Sequence, residues 1–574
     1  TNSMINNLQT GADNLTLAPM MCARLLKHVP EEKQGRLFHF SQQAFDSVIA
    51  AYGRSLGWVL GHQPTVLVVA LATLVLTVLL YVYVPKGFFP VQDTGAIMAI
   101  SEAPQSISFP AMAARQQELA RVILRDPAVE SLSSFIGIDG TNTTLNSGRI
   151  LINLKPLAER RISASQVIRR LQPELARVEG IQLFMQPVQD LTVDARVSRT
   201  QYKYALEDPD LDRLNRLAPQ MVEAMRSRPE LRDISSDQLD QGLRVMLTID
   251  RDTASRLGIT PQQIDDALYD AFGQRQVSTI FTELNQYRVV LAAHPDFQKG
   301  LSGLQTVYLR SNTGGQVPLS AITRVEQTSG PLAISRQGQF PAVTVSFDLA
   351  SGVALGHAVR AIEEAARQLQ LPASLRGSFQ GTAQAFQASL GTQPLLILAA
   401  LITVYIVLGV LYESYIHPVT ILSTLPSAGV GAVLALMVFG LELDVIAIIG
   451  IILLIGIVKK NGIMVIDFAL DAERNQGLAP EEAIYQACLL RFRPIMMTTL
   501  AALLGALPLA LGGGVGSELR QPLGISIIGG LVISQVLTLY TTPVIYLAFD
   551  RLAHRRRARG AETLPPAGEA SPRP

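Results

Sequence analysis

The sequence predicts an α-helical membrane bundle joined to a large α+β part made of ferredoxin-like units with an insert. Three observations predict it. Six stretches reach the roughly 20 mostly apolar residues needed to cross a bilayer. Between the first and second of them, strand and helix patterns alternate as β-α-β-β-α-β. One apolar stretch carries two lysines and an asparagine at mid-depth. Of 574 residues, 48% are hydrophobic and 17% charged, which fits apolar spans combined with a polar, folded part. The net charge of +1 implies no nucleic-acid partner.

Taken in order, residues 1–30 contain LTLAPMMCARLL (15–26), which resembles the end of a span. The polar TNSMINNLQTGADN before it leaves no room for a whole one, so the chain reads as the later part of something larger. Residues 31–63 are expected to form an amphipathic helix on the cytoplasmic membrane surface. Its apolar stripe would be Leu37, Phe40, Ala44, Val48, Ala51, Leu56 and Val59, with Trp58 near the first span, 64–84.

The extramembrane part begins with strand 95–101, helix 109–124, strands 128–137 and 149–154, helix 164–178 and strand 181–187. That makes one unit over 85–190. A second unit starts with strand 202–207, helix 211–227 and strand 231–235. It resumes with strand 342–349, helix 355–368 and strand 375–380, occupying 191–236 plus 331–390. Residues 237–330, with strands such as 244–249 and 287–292, read as an insert in it. Internal duplication of this kind is common in transporters.

Five more spans lie within 391–550, at 394–412, 418–439, 443–468, 494–511 and 523–549. Pro426 and Pro508 interrupt two of them, which bundle interiors tolerate. The basic RLAHRRRAR (551–559) places the C-terminus in the cytoplasm and the large part on the opposite side. The segment 551–574 reads as a basic, disordered tail. Cys22 and Cys488 both fall near cytoplasmic helix ends, where a disulfide is not expected.

A cation at the bilayer centre costs roughly 2.5–3.5 kcal/mol on insertion scales, so Lys459 and Lys460 need a reason. Asp467 shares a helix face with Lys460, but seven residues separate them by about 10 Å along the axis. Asp467 lies near the cytoplasmic end, within reach of solvent or Arg491. Glu413 and Asp444 fall at span ends. The counter-ion of Lys460 is therefore expected from helices outside these residues. Thr498 and Thr499, early in the next span, are placed to hydrogen-bond a lysine or a water chain. Their plainer role is contact between helices.

GIVKKNGIMVIDFAL (456–470), LLRFRPIMMTTLAALLGALPL (489–509), VPKGFFPVQDTG (84–95), YIVLGVLYESYIHPVTILSTLPSAGVGA (405–432) and SELRQPLGI (517–525) resemble the resistance–nodulation–division (RND) efflux pumps, most closely the MdtB/MdtC type. The resemblance runs from residue 15 to about 552. It implies the second half of a twelve-span fold: the end of span six, then spans seven to twelve. The two extramembrane units would be periplasmic porter subdomains and the insert a docking subdomain.

It further implies a multi-pass protein of the bacterial inner membrane that exports amphipathic small molecules. The proton-motive force would drive it without a cofactor. The expected partners are membrane lipid, the N-terminal half, the other subunits of a homo- or heterotrimer, a periplasmic membrane-fusion adaptor and an outer-membrane channel.

By the same resemblance, Lys460, Thr498 and Arg491 belong to the proton relay, with Asn461 and Asp467 beside them. The relay's paired aspartates lie in a span outside this chain. The substrate cleft would fall on residues 131–148, at Phe135, Gly137, Asp139 and Gly140. Two alternatives remain: a non-transporting scaffold, and a metal-ion exporter using the thioethers of Met98, Met112, Met185, Met221, Met225 and Met246. The spans exclude a soluble enzyme.

Overall fold

A computed structural model of the chain describes residues 18–25, 36–138, 144–191, 198–298, 300–312 and 314–562. It divides into two compact units, Thr1–Pro90 with Ser389–Pro574, and Val91–Ala388.

The first unit opens with α1 (Ala18–Leu25), α2 (Arg36–Gly61) and α3 (Gln63–Tyr83). The second unit follows with β1 (Ala96–Glu102), α4 (Phe109–Ile123), β2 (Val129–Ile136), β3 (Ser147–Leu154), α5 (Ala164–Leu175) and β4 (Gln182–Pro187). Their sheet has the order β2-β3-β1-β4, with antiparallel pairing throughout. Both helices cover one face. Alternating residues of β1 and β3, Ile97, Ala99, Ile150 and Ile152, meet Met112, Leu119, Val167 and Leu171 in one core. Ser163 caps α5 with a full capping box to Gln166, which fixes where that helix begins.

Then come β5 (Tyr202–Glu207), α6 (Leu211–Arg226), β6 (Leu231–Ser236), β7 (Gly242–Ile249), α7 (Pro261–Phe272), β8 (Arg275–Phe281), β9 (Gln286–Leu291), β10 (Thr323–Gly330), β11 (Phe340–Leu349), α8 (Leu355–Gln368) and β12 (Arg376–Gln380). In the second main sheet, β6 pairs β11, β11 pairs β5, and β5 pairs β12. Numbered within this unit, that is the same 2-3-1-4 order as the first sheet. Between β6 and β11 sits the ribbon of β7 with β10, the hairpin of β8 with β9, and a small core around Ile259, Ile264, Leu309 and Ile322.

The chain returns to the first unit through α9 (Thr382–Tyr412), followed by α10 (His417–Leu422), α11 (Leu425–Val438), α12 (Val445–Gln476), α13 (Pro480–Leu511) and α14 (Ser517–Glu562). Six helical segments of the described residues are long and apolar enough to cross a membrane. Small residues bring α11 and α14 into backbone contact: a Cβ on Gly431 would strike the carbonyl oxygen of Gly529, and one on Gly529 would strike Ala435. Thr77 of α3 donates to the carbonyl oxygen of Pro426, 2.9 Å away, tying those two helices together.

Three sequence expectations change here. Pro508 does not interrupt its helix: α13 runs through both Pro494 and Pro508. The break in the 418–439 stretch falls at Ser423 and Thr424, and Pro426 stands in the first turn of the helix that follows, where its missing N–H costs no helical hydrogen bond. RLAHRRRAR continues α14 rather than standing as an irregular tail, since Arg, Ala and Leu favour helix and no breaker intervenes; residues 563–574 lie outside the described residues.

The amphipathic stripe of α2 is also rotated from its expected place. Ala44, Val48 and Ala51 are exposed, as is Trp58, whereas Tyr52, Leu56, Val59 and Leu60 are buried with Ile49 packed beside them. The larger side chains decide which face is covered. Tyr52 stacks on Phe492 at 4.8 Å and donates to the carbonyl oxygen of Leu539 at 2.8 Å.

Candidate functional site

α12 carries most of the ionisable groups of interest. Asp444 caps its start by accepting from the Ala447 N–H at 2.6 Å, and Gly477, at φ 69°, ends it in the left-handed conformation. Over 32 residues the helix is about 48 Å long, and Lys460 stands near its middle. One face is exposed along its length: Ile449, Ile452, Leu453, Gly456, Lys460 and Asp467, at three- and four-residue or seven-residue spacing. Lys460 and Asp467 therefore share the open face, as their spacing predicts. Lys459 is half-buried. Neither lysine makes a hydrogen bond or ion pair with any other described residue.

One residue further on, the helix turns by about 100°, and Asn461 is buried. Its amide donates to Thr499 Oγ1 of α13 and to Gln535 Oε1 of α14, both at 3.3 Å. Thr499 Oγ1 donates to the same Gln535 oxygen at 2.7 Å. The other end of Gln535 contacts Met496 Sδ at 3.4 Å. Three helices are thus locked by one amide–hydroxyl–amide cluster directly behind Lys460. Gly462, also buried, faces Thr424, where a Cβ would sit at ordinary contact distance, 3.5 Å from the threonine methyl.

Thr498 is half-buried and donates to its own helix, to the carbonyl oxygen of Ile495 at 3.1 Å. It is Thr499 that joins Asn461. Sequence reasoning does not single out Gln535; the signal for it is a long amide side chain in the middle of an otherwise apolar span. Arg491 is not paired with Asp467. Its guanidinium lies over the Phe468 ring, 4.2 Å from the centroid, and its Nε is buried without a hydrogen-bond partner among the described residues. A guanidinium stacks well on an aromatic face, and Phe468 adjoins Asp467 on the same helix.

In the second unit, Phe135, next to last in β2, has 53% of its surface exposed, so it is not a residue of the core beneath the sheet. Arg149 of the neighbouring strand lies 6.0 Å from its ring. Gly137 follows at φ 95°, a conformation that favours glycine. Asp139 and Gly140 lie outside the described residues. Gln116 of α4, unremarkable in the sequence, is buried beneath this strand end. Its amide donates to the Phe135 carbonyl oxygen and to Ser134 Oγ, each at 3.0 Å, and its oxygen accepts from Ser101. Of the six methionines weighed as metal ligands, Met112, Met185, Met221 and Met225 are buried as ordinary core residues.

Carboxylates buried in this unit mostly meet cations. Asp208, fully buried, takes two bonds from Arg213, at 2.7 and 2.8 Å, and these hold its carboxyl down at about 2. Asp348 differs. Burial pushes its carboxyl up to about 6, and the Gln201 N–H at 2.9 Å only partly offsets that.

Helices of membrane length, with ionisable groups on one open face of α12, and a duplicated α/β part define the class as a multi-span membrane protein. A model of the AcrB/AcrD/AcrF family matches residues 12–550, and the chain belongs to that family of RND efflux transporters. Among solved structures it is similar to a crystal structure of a heavy metal efflux pump, with a TM-score of 0.80 and 23% identity. That match covers 88% of this chain and 53% of the pump, so the chain spans about half of the pump's length. At this identity the likeness carries the fold.

Proposed function

We propose that this chain forms the second half of a proton-driven exporter of drugs and other amphipathic compounds. In this reading Lys460 is the mobile cation of the relay. Its partners are carboxylates on helices outside these residues, which close over the open face of α12. Protonating such a carboxylate would free the ammonium, and α12 would shift with the cluster of Asn461, Thr499 and Gln535. Asp467 and Arg491 would flank the proton's route at the cytoplasmic end. The proton-motive force supplies the energy, with no cofactor.

The observation that carries this reading is an ammonium at mid-helix, on an exposed face, with no acid beside it among the described residues. Lysine in that position is expensive unless a partner arrives.

The porter and docking roles of the second unit, a trimer of like or mixed subunits of the MdtB/MdtC type, a membrane-fusion adaptor and an outer-membrane channel are proposed on family grounds. The β8–β9 hairpin supports a subunit contact: it bares Phe281, Leu284 (99% exposed), Tyr287 and Val290, and an isolated two-stranded ribbon is marginal on its own.

The decisive experiment is Lys460→Met in the complete pump. Proton-coupled efflux is expected to fall to background with expression and assembly unchanged; normal efflux would refute the relay. A second reading, export of a metal ion, rests on the heavy-metal pump's fold likeness. Assaying the same cells for resistance to metal salts and to amphipathic drugs separates the two.

A further inference from the structure

The polar groups of α14 extend beyond the cluster behind Lys460. Gln535, Thr538 and Thr542 stand at i, i+3 and i+7, on one face of the helix. Threonines inside membrane helices usually satisfy their hydroxyls on the preceding turn, and Thr541 does so, donating to the Leu537 carbonyl oxygen at 2.9 Å. Thr538 and Thr542 do not. Both hydroxyl oxygens are buried and have no hydrogen-bond partner among the described residues. In a medium without water, an unsatisfied hydroxyl is costly.

Both threonines border the same small cavity, together with Gln535, Asn461, Tyr52 and Cys488. The space open to the centre of a water molecule is about 10 Å³, close to what one water needs when two or more polar groups face it. The cavity begins at the amide cluster of α12 and ends at Tyr52, on α2.

We propose that Gln535, Thr538 and Thr542 form a binding site for a single internal water, which carries the polar chain of Asn461 and Thr499 on toward Tyr52. The site explains why two hydroxyls on one face forgo their own helix. Its role rests on the relay reading above: the water gives Asn461 and Gln535 an alternative partner when α12 shifts with Lys460. The three helices can then exchange hydrogen bonds without leaving an amide bare in the bilayer.

Cys488 borders the cavity and is 3% exposed, and in a Cys22→Ser background it is the chain's sole thiol. Its S–H stretch is resolved in the infrared, so exchange to S–D in heavy water reports hydration of this cavity directly. The full chain in lipid is expected to show a fast exchange phase. Thr538→Val/Thr542→Val, which keeps shape and removes both hydroxyls, should lose that phase. Thr538→Ser/Thr542→Ser and Thr541→Val should keep it, which separates loss of water from a general packing defect. Slow exchange in the parent chain, or an unchanged fast phase in the double valine variant, overturns the water site.

In the complete pump the double valine variant is expected to lower the rate of proton-coupled efflux several-fold and to shift its pH profile. Unchanged efflux there, where Lys460→Met is inactive, would overturn the water's part in coupling. Normal efflux by Lys460→Met would instead sink the relay, while the infrared result still judged the site.

Discussion

The two units of this chain treat charge in opposite ways. In the α/β unit, most buried carboxylates find cations within the same fold. Asp93 and Arg160, with 6% and 1% of their side chains exposed, lie 2.5 Å apart. Asp126 meets Arg170 at 2.5 Å, Glu102 meets Arg199 at 2.6 Å, and Asp208 meets Arg213 at 2.7 Å. In the helical unit, Lys460 and Asp467 share an open face without meeting, and Arg491 rests on a ring. The first pattern is that of structural ion pairs, whose value lies in leaving no buried charge alone. The second is the pattern on which the relay proposed above rests, in which helices outside these residues supply the other half. The difference separates charges that hold a fold from charges that await a partner.

The sharpest way to break this contrast is to delete one charge from each unit and measure stability. Asp93 accepts from Arg160, from the Ala164 N–H at 3.0 Å and from the Gly95 N–H at 3.1 Å. Asp93→Ala strands a buried guanidinium and should destabilise the α/β unit by about 3–5 kcal/mol, read as a drop in its unfolding midpoint. Lys460→Met should do the reverse. Removing an unpaired ammonium from the open face of α12 is expected to stabilise the chain in lipid, by at most roughly 2.5–3.5 kcal/mol. If Lys460→Met instead destabilised the chain as strongly as Asp93→Ala, Lys460 would have a partner within these residues, and the contrast would fail.

What could be read in the sequence follows the same division. Spans are legible because a run of about 20 apolar residues matches the thickness of a bilayer and exceeds what most buried core helices need. Elements of the second main sheet are legible locally: β5 is expected and found at Tyr202–Glu207, and the helix α8 at Leu355–Gln368. The exposed face of α12 is legible because one helix has one geometry, so Lys460 and Asp467 must point alike.

Relations between helices are not legible in this way. Whether Thr498 or Thr499 meets Asn461 depends on how α13 is rotated, and packing of neighbouring side chains sets that. Gln535 lies 74 residues from Asn461, and no local pattern links them. The covered face of α2 is decided by Tyr52 meeting Phe492, a contact that periodicity along α2 cannot foresee. The partner of Arg491 is a ring on the preceding helix, invisible to any count of charges.

A weaker test uses pH, within the α/β unit alone. Asp208 is held at about 2, against an ordinary value of 3.8, so its ion pair contributes stability that is complete above that ordinary value and is lost as pH falls toward 2. Asp348 has the opposite sign. With its carboxyl raised to about 6, the folded state holds a proton that the unfolded state releases, so stability declines as pH rises from about 4 through 6. Asp348→Asn should flatten that decline and leave the acid limb, due to Asp208, in place. A decline that persisted unchanged in Asp348→Asn would assign it to another group.

The smallest effect tests the cluster behind Lys460. Thr499→Val keeps the shape of the side chain and removes the hydroxyl that donates to Gln535 at 2.7 Å and accepts from Asn461 at 3.3 Å. Hydrogen bonds between membrane helices contribute only about 0.6 kcal/mol on average, because alternative partners are found in the unfolded bundle too. Here the alternative is already present, since Asn461 also reaches Gln535 directly. The stability change should therefore be about 1 kcal/mol or less, well below that of Asp93→Ala. In transport the order should reverse, because the cluster fixes the helix that carries Lys460. Thr499→Val is expected to slow efflux with substrate affinity unchanged, while its stability hardly moves. Equal losses of stability and efflux would mean that Thr499 acts as packing only, and the functional face of α12 would then end at Lys460.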